Sequence, residues 1–198
     1  LMFNGEIFNH LQLRKDLENK GLNFETSHSD TEVILNGLSF YGQNFITKLR
    51  GQFAIAFYDS KTKQLTLARD RLGQKPLYYK TINGSVHFSS NLMSIYNKKY
   101  DQVDNSSVED YINYGVVPSP KTIFKNIYKL EPAQIITFDL SSNLNILKKE
   151  FYWQLENFID NKKFSEIEFF EQYTESVKIR ETADVDVATF LSGGIDSS

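Results

Sequence analysis

Short apolar runs separated by polar turns dominate the first part of the chain and predict β-strands. The runs "GQFAIAFYD" and "QLTLARD" flank the polar turn 60–63 and predict a hairpin. A second hairpin is predicted over "KPLYYK" and "SVHFSS", because Asn83-Gly84 between them favours a tight two-residue turn. "AQIITFDL" predicts a further strand, and Phe3-Asn4-Gly5 predicts the end of a strand that turns into a loop.

Helical patterns are interleaved with these strands. Asn9, with Gln12 three residues later, predicts a capped helix that ends near Gly21. A second helix is predicted over 31–41, and "VEDYINYG" predicts a short third one.

The pattern changes near residue 160. Residues 141–161 are rich in Asn, Ser and Lys and predict a linker. Ser165 and Glu168 then form a capping box for a helix towards Arg180, and "DVATFL" predicts a short strand of a parallel sheet. We therefore predict two domains, residues 1–160 and residues 161–198.

Composition narrows the class of protein. The 198 residues carry 22 basic and 25 acidic side chains, a net charge of −3, which argues against a nucleic-acid partner. Cysteine is absent, which suits a cytoplasmic protein, and no apolar run is long enough for a membrane span. The chain does not open with Met, and we expect it to be an internal fragment.

The last residues, "FLSGGIDSS", carry the clearest candidate chemistry. Adjacent glycines allow a backbone to approach a ligand closely, and a helix that starts after them would direct N–H groups at an anion. Asp196 beside a phosphate implies an intervening cation, so we expect Mg²⁺ there. The predicted ATP- and pyrophosphate-binding residues are Leu191, Ser192, Gly193, Gly194, Asp196, Ser197 and Ser198.

This string resembles the pyrophosphate loop of ATP pyrophosphatases, and within that group the glutamine-dependent asparagine synthetases. The resemblance implies an α+β fold. Its first part is an N-terminal nucleophile-type αββα sandwich, two antiparallel sheets flanked by helices, and an α/β ATP-pyrophosphatase domain begins after it. It also implies glutamine hydrolysis, transfer of ammonia to an aspartyl-adenylate made from ATP and aspartate, and Mg²⁺ as the metal. A homodimer is one expected assembly.

Two amino-terminal strings carry the same resemblance. In "FNGEIFN", the family's Asn side chain and Gly N–H stabilise an oxyanion and its Glu helps to hold glutamine, which implies these roles for Asn4, Gly5 and Glu6. In "HSDTEVI", the family's Asp holds the α-ammonium group of glutamine, which implies that role for Asp30. Glu32 is expected to be structural.

The string "RDRLGQKPLYY" resembles the family almost residue for residue, and we predict that it is scaffold near the site. The family's nucleophile is an amino-terminal cysteine, so we expect one upstream of Leu1 and expect the 198 residues alone to be inactive. Three alternatives stay open: amidation of another carboxylate such as a sugar acid, a glutaminase joined to a sugar-phosphate domain, and a non-enzymatic glutamine-binding module.

Overall fold

The structure is a computed structural model, and it describes residues 1–141, 144–159, 163–181 and 186–195. It divides into two compact units, Leu1–Ile159 and Asp160–Ser198. None of the helices in the described ranges is both long and apolar enough to cross a membrane.

In its described residues, the first unit contains eight strands and four α-helices. The strands are β1 (Met2–Ile7), β2 (Gly51–Asp59), β3 (Gln64–Arg69), β4 (Tyr78–Ile82), β5 (Ser85–Ser89), β6 (Tyr128–Lys129), β7 (Gln134–Asp139) and β8 (Asn145–Phe151). The helices are α1 (His10–Glu18), α2 (Asp30–Tyr41), α3 (Leu92–Ile95) and α4 (Asn105–Tyr114), with 3-10 helices at Gly42–Lys48 and Leu155–Phe158.

The strands form two antiparallel sheets, one in the order β1-β2-β3-β7-β8 and one in the order β5-β4-β6. Successive side chains of β2 point to opposite faces of its sheet, and their contacts show how the layers stack. Phe53 and Ile55 join the apolar cluster formed with α1 and α2, whereas Ala54 and Ala56 join the cluster that contains Tyr79 of the other sheet. The predicted α+β fold with two stacked antiparallel sheets is therefore confirmed.

Both predicted hairpins form. β2 pairs with β3 and β4 pairs with β5, and the turn between β4 and β5 places Asn83 and Gly84 at φ +50° and +73°. These positive φ angles suit the tight turn that Asn-Gly favours.

Three sequence-based predictions in this unit are wrong. Asn4-Gly5 is not a turn, because β1 continues through Ile7 and pairs with β2 along its whole length. Asn9 precedes α1 without capping it, because its side chain instead contacts Lys48 O and Arg50 N. The predicted linker 141–161 contains β8, an exposed strand whose charged residues are typical of a sheet edge.

The second unit contains α5 (Glu166–Lys178). Ser165 Oγ accepts a hydrogen bond from Glu168 N, so the predicted capping interaction is confirmed. The predicted strand "DVATFL" is wrong, because residues 186–192 have no regular secondary structure.

Candidate functional site

The edge strand β1 carries the first group of predicted site residues. Gly5 lies opposite Phe53 at φ +152°, and a Cβ atom added there would lie 2.0 Å from the carbonyl oxygen of Gln52. An alanine would therefore collide with the backbone of β2. Glycine is required here by the close approach of two strands and not by a turn.

Asn4 and Glu6 lie two residues apart on β1, so their side chains share one face of the strand. The side chain of Asn4 is exposed and that of Glu6 is partly buried. Asn4 Nδ2 donates a hydrogen bond to Ser90 Oγ at 2.9 Å. Sequence reasoning did not identify Ser90, because it lies 86 residues from Asn4 and no local pattern links the two.

A cavity of about 240 Å³ adjoins this hydrogen bond. It lies where β1 and β2 meet the end of β5, and its wall includes Asn4, Ala54, Ala56, Leu77, Phe88 and Ser90. The small side chains of the two alanines leave room between the sheets, whereas the polar groups lie at the edge.

Asp30 is the first residue of α2, and its carboxylate lies against the end of β1. Asp30 Oδ2 accepts a hydrogen bond from Ile7 N at 3.2 Å, and Oδ1 accepts one from Thr31 Oγ1 at 3.3 Å. A carboxylate can accept about four hydrogen bonds, so these two leave it capacity for a cationic group. The structure thus brings Asp30 to the strand that carries Asn4, Gly5 and Glu6.

The neighbouring residues Ser29 and Glu32 hold the start of α2. Ser29 Oγ accepts a hydrogen bond from Glu32 N at 3.2 Å and so caps the helix. The Glu32 carboxylate accepts hydrogen bonds from Thr26 Oγ1 and from the backbone N–H groups of Glu25 and Thr26. These bonds, that of the Thr26 hydroxyl foremost, hold the pKa of Glu32 below its ordinary value. The structural role expected of Glu32 is confirmed.

Asp70, directly after β3, supports the site through a hydrogen bond to β2. It is fully buried, and its carboxylate accepts hydrogen bonds from the backbone N–H groups of Phe53 (3.2 Å), Leu72 (3.1 Å), Gln74 (2.9 Å) and Lys75 (3.0 Å). Phe53 is the residue opposite Gly5. Asp70 therefore ties the loop after β3 to the strand that positions Gly5.

Arg69 holds the same loop from the other side. Its guanidinium donates to the carbonyl oxygens of Lys75 (2.7 Å), Leu130 (2.6 Å) and Gly73 (2.6 Å), and burial lowers the pKa of the Arg69 side chain. The hydroxyl of Tyr152 donates to Arg69 O at 3.0 Å. The scaffold role predicted for "RDRLGQKPLYY" is confirmed by these contacts.

Together, these residues place an amide donor, Asn4, midway along β1 and a carboxylate, Asp30, at the end of the same strand. Asn4 and Ile7 are three residues apart, which is roughly 10 Å along an extended chain. That separation is comparable with a small amino acid amide that makes a hydrogen bond at each end. Such an arrangement can polarise a carbonyl oxygen near Asn4 and hold a cationic group near Asp30.

The predicted phosphate loop lies in the second unit. Gly193 has φ +75°, and Gly194 N donates to Ser192 Oγ at 3.3 Å. Among the described residues, and apart from the two chain neighbours of Gly193, no atom lies within 4 Å of where its Cβ would be. Asp196, Ser197 and Ser198 fall outside the described residues, so their phosphate and Mg²⁺ roles stay predictions. In the part of the chain that is described, no group of three or more acidic or histidine residues could hold a metal ion.

Sequence comparison matches the whole chain to known proteins. The glutamine amidotransferase domain family matches residues 1–153, and the asparagine synthase family matches residues 168–198. A putative glutamine-hydrolysing asparagine synthetase of Methanocaldococcus jannaschii is 39% identical over 206 residues, covering 100% of this chain and 38% of that protein. Glutamine-hydrolysing asparagine synthetase 1 of Bacillus subtilis is 36% identical over 202 residues, covering 100% of this chain and 31% of that protein.

Structure comparison supports the fold. Glutamine phosphoribosylpyrophosphate amidotransferase of B. subtilis superimposes with a TM-score of 0.50 at 22% identity, over 77% of this chain and 29% of that protein. At this identity the similarity extends to the fold alone. The chain thus spans about a third of the length of the curated relatives that it matches.

Proposed function

Because this chain belongs to the family of glutamine amidotransferase domains, we propose that the protein makes asparagine from aspartate with glutamine as the nitrogen donor. One observation carries the proposal: a single chain joins the glutamine amidotransferase match at residues 1–153 to the asparagine synthase match at residues 168–198. The first would release ammonia, and the second would begin the domain that consumes it.

In the first half-reaction, water and glutamine give glutamate and ammonia. Asn4 Nδ2 and the N–H of Gly5 would donate to the oxygen that gains negative charge as the carboxamide is attacked. Glu6, on the same face of β1 as Asn4, would help to orient the substrate. Asp30 would bind the α-ammonium group through the acceptor capacity that Ile7 and Thr31 leave unused.

The attacking group of this half-reaction would be a cysteine thiolate with the protein's own α-amine as base. These 198 residues contain no cysteine. Of this half-reaction, we assign to β1 and α2 the binding of the substrate and the oxyanion.

In the second half-reaction, the aspartate carboxylate would attack the α-phosphorus of ATP and release pyrophosphate, and ammonia would then displace AMP. Residues 191–194 would bind the pyrophosphate. The open surroundings of Gly193 support this role, since a phosphate can approach a backbone that has no side chain. Ser197 and Ser198 would add hydroxyl donors, and Asp196 would act through Mg²⁺.

The proposed reaction takes place in the cytoplasm and needs glutamine, aspartate, ATP and Mg²⁺. The test uses protein expressed from the complete reading frame and supplied with all four. We expect equimolar asparagine, AMP and pyrophosphate, with glutamate formed alongside. Ammonium chloride should be able to replace glutamine as the nitrogen source for asparagine synthesis.

A substrate panel separates this proposal from its alternatives. Replacement of aspartate by sugar acids should abolish pyrophosphate release. Product formed only with a sugar acid would refute asparagine synthesis and leave the glutaminase intact. Absence of both glutamate and pyrophosphate would refute an enzymatic role.

A further inference from the structure

A hydrogen bond links the two sheets at the predicted oxyanion site. Its donor is Asn4 Nδ2 on β1 of the five-stranded sheet, and its acceptor is Ser90 Oγ, directly after β5 of the three-stranded sheet. The pair lies on the wall of the 240 Å³ cavity. Ser90 thus makes a polar contact between the sheets at the place where the reacting amide of the substrate would lie.

The chemistry of the Asn side chain makes this contact directional. A primary amide carries two N–H groups that point roughly 120° apart in one plane, and its χ2 angle is otherwise broadly distributed. With one N–H donated to Ser90, the plane of the Asn4 amide is fixed and its second N–H has one direction left. An exposed Asn on an edge strand would otherwise sample several orientations.

The acceptor itself is held in place by its neighbours. Asn91 N donates to Ser89 Oγ at 3.0 Å, and Asn91 Oδ1 accepts from Met93 N at 2.9 Å, where it caps α3. Ser90 therefore lies between two anchored residues on a short turn from strand to helix. The backbone is therefore held on both sides of Ser90, which restricts where its hydroxyl can lie.

We infer that Ser90 is a positioning residue that orients the Asn4 amide for oxyanion stabilisation during glutamine hydrolysis. The inference rests on the proposed function, because Asn4 needs a defined orientation only if an oxyanion forms beside it. Ser90 does not contact the reacting atoms. It acts through Asn4: its hydroxyl accepts a hydrogen bond from one N–H of the Asn4 amide, so the other N–H can donate to the substrate.

This role predicts a specific kinetic pattern for Ser90→Ala in protein from the complete reading frame. The value of kcat for glutamine hydrolysis should fall roughly 3- to 10-fold, the consequence of one lost orienting hydrogen bond. KM for glutamine should stay within about 2-fold, because the oxyanion is present only in the transition state. Asparagine synthesis from ammonium chloride should be unchanged, since that route bypasses the site.

The deciding measurement repeats Ser90→Ala in the Asn4→Ala background. With no amide to orient, the second substitution should change kcat less than about 2-fold, so the two effects should not add. Ser85→Ala, an exposed serine at the other end of β5, is the matched control and should behave like wild type.

Each contrary outcome has a distinct meaning. If Ser90→Ala keeps wild-type kcat, or lowers it equally with and without Asn4, the positioning role is wrong. A parallel loss of the ammonium-dependent reaction would also overturn it, since that result indicates general destabilisation. If wild-type protein does not hydrolyse glutamine at all, the proposed function itself fails and the inference fails with it.

Discussion

Replacement of Asp70 by alanine tests how the loop after β3 supports the candidate site. Asp70 has no exposed surface, and its two carboxylate oxygens accept four backbone N–H groups. Three of those N–H groups belong to its own loop, and the fourth, of Phe53, belongs to β2. The substitution removes both acceptor oxygens and therefore breaks all four hydrogen bonds at once.

The size of the effect follows from these contacts. A buried N–H group without an acceptor costs about 1–3 kcal/mol. The Phe53 bond is buried whereas the three loop bonds are partly buried, so the lower end of that range applies to most of them. We expect Asp70→Ala to lower the free energy of unfolding by about 4 kcal/mol, a large fraction of the stability of a typical domain.

The assay is urea denaturation of the wild-type and variant chains. Far-UV circular dichroism and the fluorescence of Trp153, the single tryptophan, report the unfolding of the first unit. With an m-value of roughly 2 kcal/mol per molar urea, the midpoint should fall by about 2 M. Asp70→Asn keeps one acceptor oxygen, so its urea midpoint should lie between those of wild type and Asp70→Ala.

Asp59→Ala provides the matched control. Asp59 also accepts a backbone N–H and a hydroxyl, from Lys61 and Thr62, but in an exposed turn where water can replace it. Its midpoint should shift far less than that of Asp70→Ala. A loss below about 1 kcal/mol for Asp70→Ala, or equal shifts for both variants, would refute the reasoning from buried amides.

Three further predictions concern the two sites and the pH dependence of stability. Asn4→Ala should reduce glutamine-driven asparagine synthesis by about 10²-fold or more and spare the ammonium-driven reaction; equal losses would make Asn4 merely structural. Asp196→Ala should abolish pyrophosphate release with either nitrogen source while glutamine hydrolysis survives, and retained release would refute its role. Because hydrogen bonds depress the pKa of Glu32 in the folded state below its ordinary 4.5, its stabilising contribution is present above that value and lost as pH falls through the folded pKa. Wild type should therefore lose more stability than Glu32→Gln between roughly pH 5 and pH 3, and parallel urea midpoints over that range would contradict this.

Much of the secondary structure could be predicted because its causes are local. The Asn83-Gly84 turn forms as expected because both residues tolerate positive φ angles. The caps at Ser29 and Ser165 form because a side-chain oxygen satisfies an N–H group only three residues away. The prediction failed for β8, whose charged sequence is that of a loop unless β7 is available to pair with it.

The same contrast between local and long-range causes applies to the candidate site. The sequence by itself determined which residue types are present: an Asn-Gly-Glu string, an aspartate at the start of a helix, and a glycine-rich loop. It could not place them, and the turn expected at Asn4-Gly5 is a strand because Ala54 and Phe53 of β2 pair with it.

Only the tertiary structure decided how those residues meet. Pairing of β1 with β2 makes glycine obligatory at position 5, packing of α2 brings Asp30 to Ile7, and stacking of the two sheets brings Ser90 to Asn4. The physical reason is distance along the chain. Caps and tight turns depend on contacts within a few residues, whereas Asp30 lies 23 residues and Ser90 86 residues from its partner, so these contacts form only when the sheets and helices pack.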